Sequence, residues 1–134
     1  MLGRPRGRVL VVSMLTPLLL LGWVLVCNAA YPEAVIPCPP AHGLVCLGWT
    51  LALAAAPFVS LALARRGSDP VHPLATGAAL GAAAGAWGAV MIDLRCSFAT
   101  LSHVALGHAL PVVLLAALGT WVGSRVIAVR GATD

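Results

Sequence analysis

The chain has 134 residues, of which 60% are hydrophobic and only 9% charged, with a formal net charge of +4. A soluble domain carries about 25% charged residues, so a mean hydropathy of +0.99 excludes a water-exposed globule and leaves an all-α integral membrane protein. The positive charge is entirely arginine, and a pI near 9.4 needs no nucleic-acid partner, because membrane topology accounts for it.

A hydrocarbon core is crossed by about 17–25 apolar residues, and four runs reach that length within a single domain, at 9–30, 44–64, 74–92 and 104–124. Backbone in lipid must satisfy its own hydrogen bonds, so each run is expected to be a helix. The first follows "GRPRGR" and is longer than the 7–15-residue core of a signal peptide, so it reads as a retained span. Pro17, Pro57 and Pro111 fall inside runs and are expected to kink them, with neighbouring groups re-satisfying the freed carbonyls. Trp49, Trp87 and Trp121 sit toward the interfaces as aromatic anchors do, while Trp23 is deeper and reads as packing. Arg4, Arg6, Arg8, Arg65, Arg66, Arg125 and Arg130 fall on one side of the spans and only Arg95 on the other. By the positive-inside rule both termini, and the loop carrying Arg65 and Arg66, are cytoplasmic.

The third run, "GAALGAAAGAWGAVMIDLRC", would be a poor helix in water, where each Gly costs about 1 kcal/mol against Ala. In lipid, Gly77, Gly81 and Gly85 repeat every four residues and form a small-residue face for close helix packing. Gly119 and Gly123 offer a second such face on the fourth run. Asp93 and Arg95 mark the outer exit of the third. His108 is the one ionisable side chain well inside a run. It reads either as a functional group or as a neutral imidazole bonded to a backbone carbonyl.

Cys27, Cys38, Cys46 and Cys96 all fall at or near the non-cytoplasmic end, where an oxidising compartment lets disulfides persist. Cys46 and Cys96 are each 25 residues from Val71 (71 − 46 and 96 − 71), so an antiparallel hairpin sets them at equal depth. The same counting levels Cys27 with Cys46, and four cysteines allow three pairings. Cys27 reads as a small apolar side chain. His42 and His103 lie on the same face as the thiols and make a soft cysteine–histidine metal set an open alternative.

The stretch from Cys46 to Arg125 resembles the NrsF-type family of membrane anti-sigma factors. The features that carry it are Cys46 opening a span, then "ARRGSDPVHPLATGAALGAAAGAWGAV", then "DLRCSF", and a Gly-rich last span ending in arginine. The resemblance implies a non-enzymatic, cofactor-free regulator in a bacterial inner membrane. It further implies that Cys46 and Cys96 sense oxidant or metal stress and that an extracytoplasmic-function sigma factor is released inside. Family members usually have six spans, so the chain looks like the C-terminal two-thirds of one. Two other readings stand beside it. One is an assembly subunit whose glycine faces dock on further transmembrane helices. The other is a four-span thiol oxidase, which would need the adjacent Cys-x-x-Cys pairs that this sequence lacks.

Overall fold

A computed structural model describes residues 41–67, 71–98 and 100–128, together with residues 15, 19, 22–23, 26–27, 29–30 and 39. Most of the first apolar run, including Pro17, and Cys38 lie outside the described residues. Among the described residues three helices are long and apolar enough to cross a membrane: α1, His42–Ala64; α2, Pro73–Asp93; and α3, Leu101–Ile127. They contain the second, third and fourth apolar runs, each extended by a few residues.

Local chemistry sets the ends. His72 is extended and Pro73 occupies the first position of α2, where a missing N–H costs nothing and a fixed φ suits the helix. Thr100, with ψ of 139°, precedes α3. After α1 the chain turns through Arg65 and Arg66 to Gly67, which has φ of +62°. The Gly67 N–H donates to the Val126 carbonyl at 3.0 Å, tying the α1–α2 turn to the far end of α3. A Cβ at Gly67 would meet nothing within 4 Å, so replacing it tests backbone conformation alone. Gly67→Ala is expected to lower stability by about 1 kcal/mol, the cost of a left-handed L-residue, read as the unfolding midpoint in mixed detergent micelles.

The buried face of α2 is built entirely from glycine and alanine, and many of the large apolar side chains face outward. Ala54, Ala78, Ala79, Ala82, Ala84, Ala86 and Ala89 are buried, whereas Leu44, Val45, Trp49, Leu63, Val113, Leu118 and Trp121 are exposed. Water would penalise that arrangement, and lipid does not. Trp49, Trp87 and Trp121 are exposed at the positions where anchors are expected, and Trp23, expected to pack, is 68% exposed. Over their apolar windows α2 is 56% buried, α3 39% and α1 17%, so α2 is the central one of these three helices.

Glycine makes that centre. A Cβ added at Gly77 would fall on the Gly119 carbonyl oxygen, one at Gly81 on the Leu115 carbonyl oxygen, and one at Gly85 2.7 Å from the Val112 Cα. Gly123 lies equally close to the Pro73 carbonyl. The α2 and α3 backbones are therefore in direct contact along one seam. Gly88 serves the other side of α2, where a Cβ would sit 2.5 Å from the Thr50 carbonyl oxygen of α1.

α1 continues unbroken through Pro57, but α3 is not a uniform α-helix. Ala105–Ala109 and Gly123–Ile127 are π turns. Pro111 has no N–H to offer the Gly107 carbonyl, four residues earlier, and the buried Thr50 hydroxyl of α1 donates to that oxygen instead, at 2.9 Å. A freed carbonyl in lipid needs such a donor.

Candidate functional site

At the end of the bundle opposite the Arg65–Arg66 turn, four side chains from three segments converge. Cys46 lies in the second turn of α1 and faces α3 because Gly107 leaves room there; a Cβ at Gly107 would be 2.8 Å from the Cys46 Cβ. Cys96 follows α2, held by its N–H donating to the Ile92 carbonyl at 2.9 Å. His103 belongs to the first turn of α3 and His108 to its first π turn.

The Cys46 and Cys96 Sγ atoms are 3.9 Å apart, not bonded to each other, and both side chains are half-buried. Cys96 Sγ lies 3.0 Å from His103 Nε2 and 3.8 Å from the Phe98 carbonyl oxygen. The His103 and His108 rings are 5.4 Å apart. One ligand atom from each of Cys46, Cys96, His103 and His108 falls within 4.8 Å of the others.

The π turn makes this convergence. In a regular α-helix, residues five apart are about 140° apart around the axis, which would direct His103 and His108 to different faces. A π turn carries one extra residue per hydrogen-bonded ring and returns residues five apart to the same side. A 3.6-residue reading of the sequence separates these two histidines, so only the position of Pro111 hinted at the irregularity.

His108 is 5% exposed. Its Nδ1 lies 3.5 Å from Asp93 Oδ1, and its Nε2 is buried without a hydrogen-bond partner. Its polar neighbour is thus a carboxylate rather than a backbone carbonyl. Asp93, read as no more than the exit of α2, keeps a 59% exposed side chain while approaching this imidazole.

His42 stands outside the four-residue set. Its ring packs edge-on against Phe98, which packs in turn against His103. A cleft of about 600 Å³ opens beside the thiols, lined by His42, Cys46, Trp49, Arg95, Cys96 and Phe98 among others. Small reagents thus have a route to both sulfurs. Cys27 is half-buried and outside the cluster. Arg65 and Arg66 are exposed at the opposite end, and Gly77, Gly81, Gly85, Gly119 and Gly123 line the seam between the two ends.

The class defined by these features is a small apolar helical bundle with a thiol–imidazole centre at one end and arginine at the other. The chain belongs to the NrsF family, negative regulators of sigma F, whose model matches residues 1–128, well beyond the 46–125 stretch that carries the resemblance in the sequence. The family's description is that of a regulator, and it points to a sigma factor as the partner. No curated protein and no solved structure is detectably similar to the chain.

Proposed function

We propose that the protein is a membrane-embedded negative regulator of an extracytoplasmic-function sigma factor, in which Cys46 and Cys96 form an oxidant-responsive pair on the non-cytoplasmic side of a bacterial inner membrane. The observation that carries this reading is the approach of two cysteine sulfurs to 3.9 Å, without a bond between them, at the mouth of an open cleft. Orientation is supported by Arg65, Arg66 and Arg125 at the other end, against Arg95 beside the thiols.

A peroxide is a sufficient oxidant. One thiolate attacks the peroxide oxygen to give a sulfenic acid and release water or alcohol. The second thiol then displaces water from that sulfur and closes the disulfide, the pair having lost two electrons and two protons. Closure draws the start of α1 toward the end of α2. Because the glycine seam joins α2 to α3 as backbone on backbone, the displacement reaches the Arg65–Arg66 turn and its hydrogen bond to Val126, the surface from which the sigma factor is released.

Maleimide trapping in intact cells tests the pair. Labelling of Cys46 and Cys96 is expected to fall after peroxide treatment and to return with reductant, and the Cys46–Cys96 disulfide detected by mass spectrometry of the wild type is expected to be absent from Cys46→Ser. Labelling indifferent to both treatments ends the redox reading. Crosslinking from position 65 or 66 is expected to capture a sigma factor; capture of another membrane protein instead favours an assembly subunit.

A further inference from the structure

We infer that Cys46, Cys96, His103 and His108 form a binding site for one divalent cation of the Zn²⁺ class, with Asp93 orienting His108. This deepens the sensing reading above and rests on it only for placing the site on the non-cytoplasmic face.

The donor set is two thiols and two imidazoles, a combination that suits zinc and softer divalent ions in a tetrahedral array. In such an array two sulfurs about 2.3 Å from the ion are about 3.8 Å from each other, and the Cys46 and Cys96 sulfurs stand at 3.9 Å. A sulfur and an imidazole nitrogen on the same ion are about 3.6 Å apart, so the 3.0 Å hydrogen-bond distance from Cys96 to His103 opens slightly when metal replaces the proton. The fourth donor is independent of the thiol pair. The His108 Nε2 is buried and unpartnered, an arrangement that is costly unless something fills it. Its other nitrogen faces Asp93, the carboxylate–histidine pairing that fixes a metal-binding tautomer.

Charge supports the same assignment. Binding releases the two thiol protons, and two thiolates cancel a divalent charge, leaving a neutral centre in an apolar setting. With both thiolates on the ion, the pair is withheld from oxidation until the ion leaves, and α1, the end of α2 and α3 are clamped together.

The test uses the full chain, reduced and metal-free in detergent micelles, titrated with Co²⁺. One equivalent is expected to give intense tetrahedral d–d bands with a thiolate-to-cobalt charge-transfer band, both removed by Zn²⁺. His103→Ala and His108→Ala are each expected to weaken Co²⁺ binding by more than about 100-fold, and Asp93→Asn by about 10–100-fold with the spectrum retained. His42→Ala is expected to change neither. Helical content by circular dichroism, and diamide closure of Cys46 to Cys96, verify that each variant is folded; if one histidine variant fails this, the other and Asp93→Asn decide. The inference is overturned if the wild-type chain gives no tetrahedral thiolate spectrum, if the folded histidine variants bind as well as wild type, or if His42→Ala loses binding equally. Peroxide-dependent closure without a cobalt site would leave the sensing reading standing and remove this one. A cobalt site in a chain whose thiols ignore peroxide would do the reverse.

Discussion

Replacing Gly81 with isoleucine is expected to part α2 from α3 and cost about 3 kcal/mol or more, the upper range for overpacking a well-filled interior. The reason is geometric. The first carbon of any side chain at 81 falls on the Leu115 carbonyl oxygen, with the Ala116 Cα 3.1 Å away. Both obstacles are backbone, so no rotamer relieves the overlap and the helices must move apart as units. Separation also removes the close contacts at Gly77 and Gly119, and lipid offers no hydrophobic drive to bring the helices back. Ala75, on the same helix but exposed, provides the control: Ala75→Ile is expected to change stability by less than about 0.5 kcal/mol. The unfolding midpoints of the two variants in mixed micelles make the comparison. Equal midpoints would mean that the seam does not hold the bundle.

The second large effect is a coupling. Thr50→Val keeps the side-chain shape but removes the hydroxyl that donates to the Gly107 carbonyl. Leaving that buried oxygen unpaired is expected to cost about 1–3 kcal/mol. In a Pro111→Ala background the restored N–H can take over the Gly107 carbonyl, so the same Thr50→Val change is expected to cost about 1 kcal/mol less. A double-mutant cycle measures that difference. Strict additivity of the two substitutions would show that the threonine does not compensate for the proline. Pro111→Ala should also favour a regular α-helix over the π turn at Ala105–Ala109. In that case His108 rotates away from His103, and Co²⁺ binding weakens with it.

Residue 108 shows where reading the chain by period succeeds and where it stops. An ionisable group inside an apolar run stands out by composition alone, and the depth of Cys46 against Cys96 follows from counting residues from Val71. These inferences need only helix rise and hairpin geometry. The partnership of His103 with His108 needs more, because a regular helix assigns the two rings to different faces. Asp93 was hidden for a similar reason: a carboxylate at the end of a span reads as an exit into water until the imidazole 3.5 Å away is seen. His42 was the opposite case, a histidine near the thiols in sequence whose ring packs on Phe98 instead of joining them.

The amino-acid sequence alone was enough to mark the apolar segments and the contrast between the two ends. Apolar length specified which segments could lie in lipid, arginine placement distinguished one end from the other, and glycine every fourth residue marked a face where backbones can meet. Which helix that face meets, and which donors share one centre, was decided only by the tertiary structure. Both depend on groups distant in the chain: the Leu115 and Gly119 carbonyls that fill the space beside Gly81 and Gly77, and the Thr50 hydroxyl that completes α3 where Pro111 leaves a carbonyl unpaired. Periodicity describes a helix in isolation, and it is contact with a second helix that sustains a departure from that period.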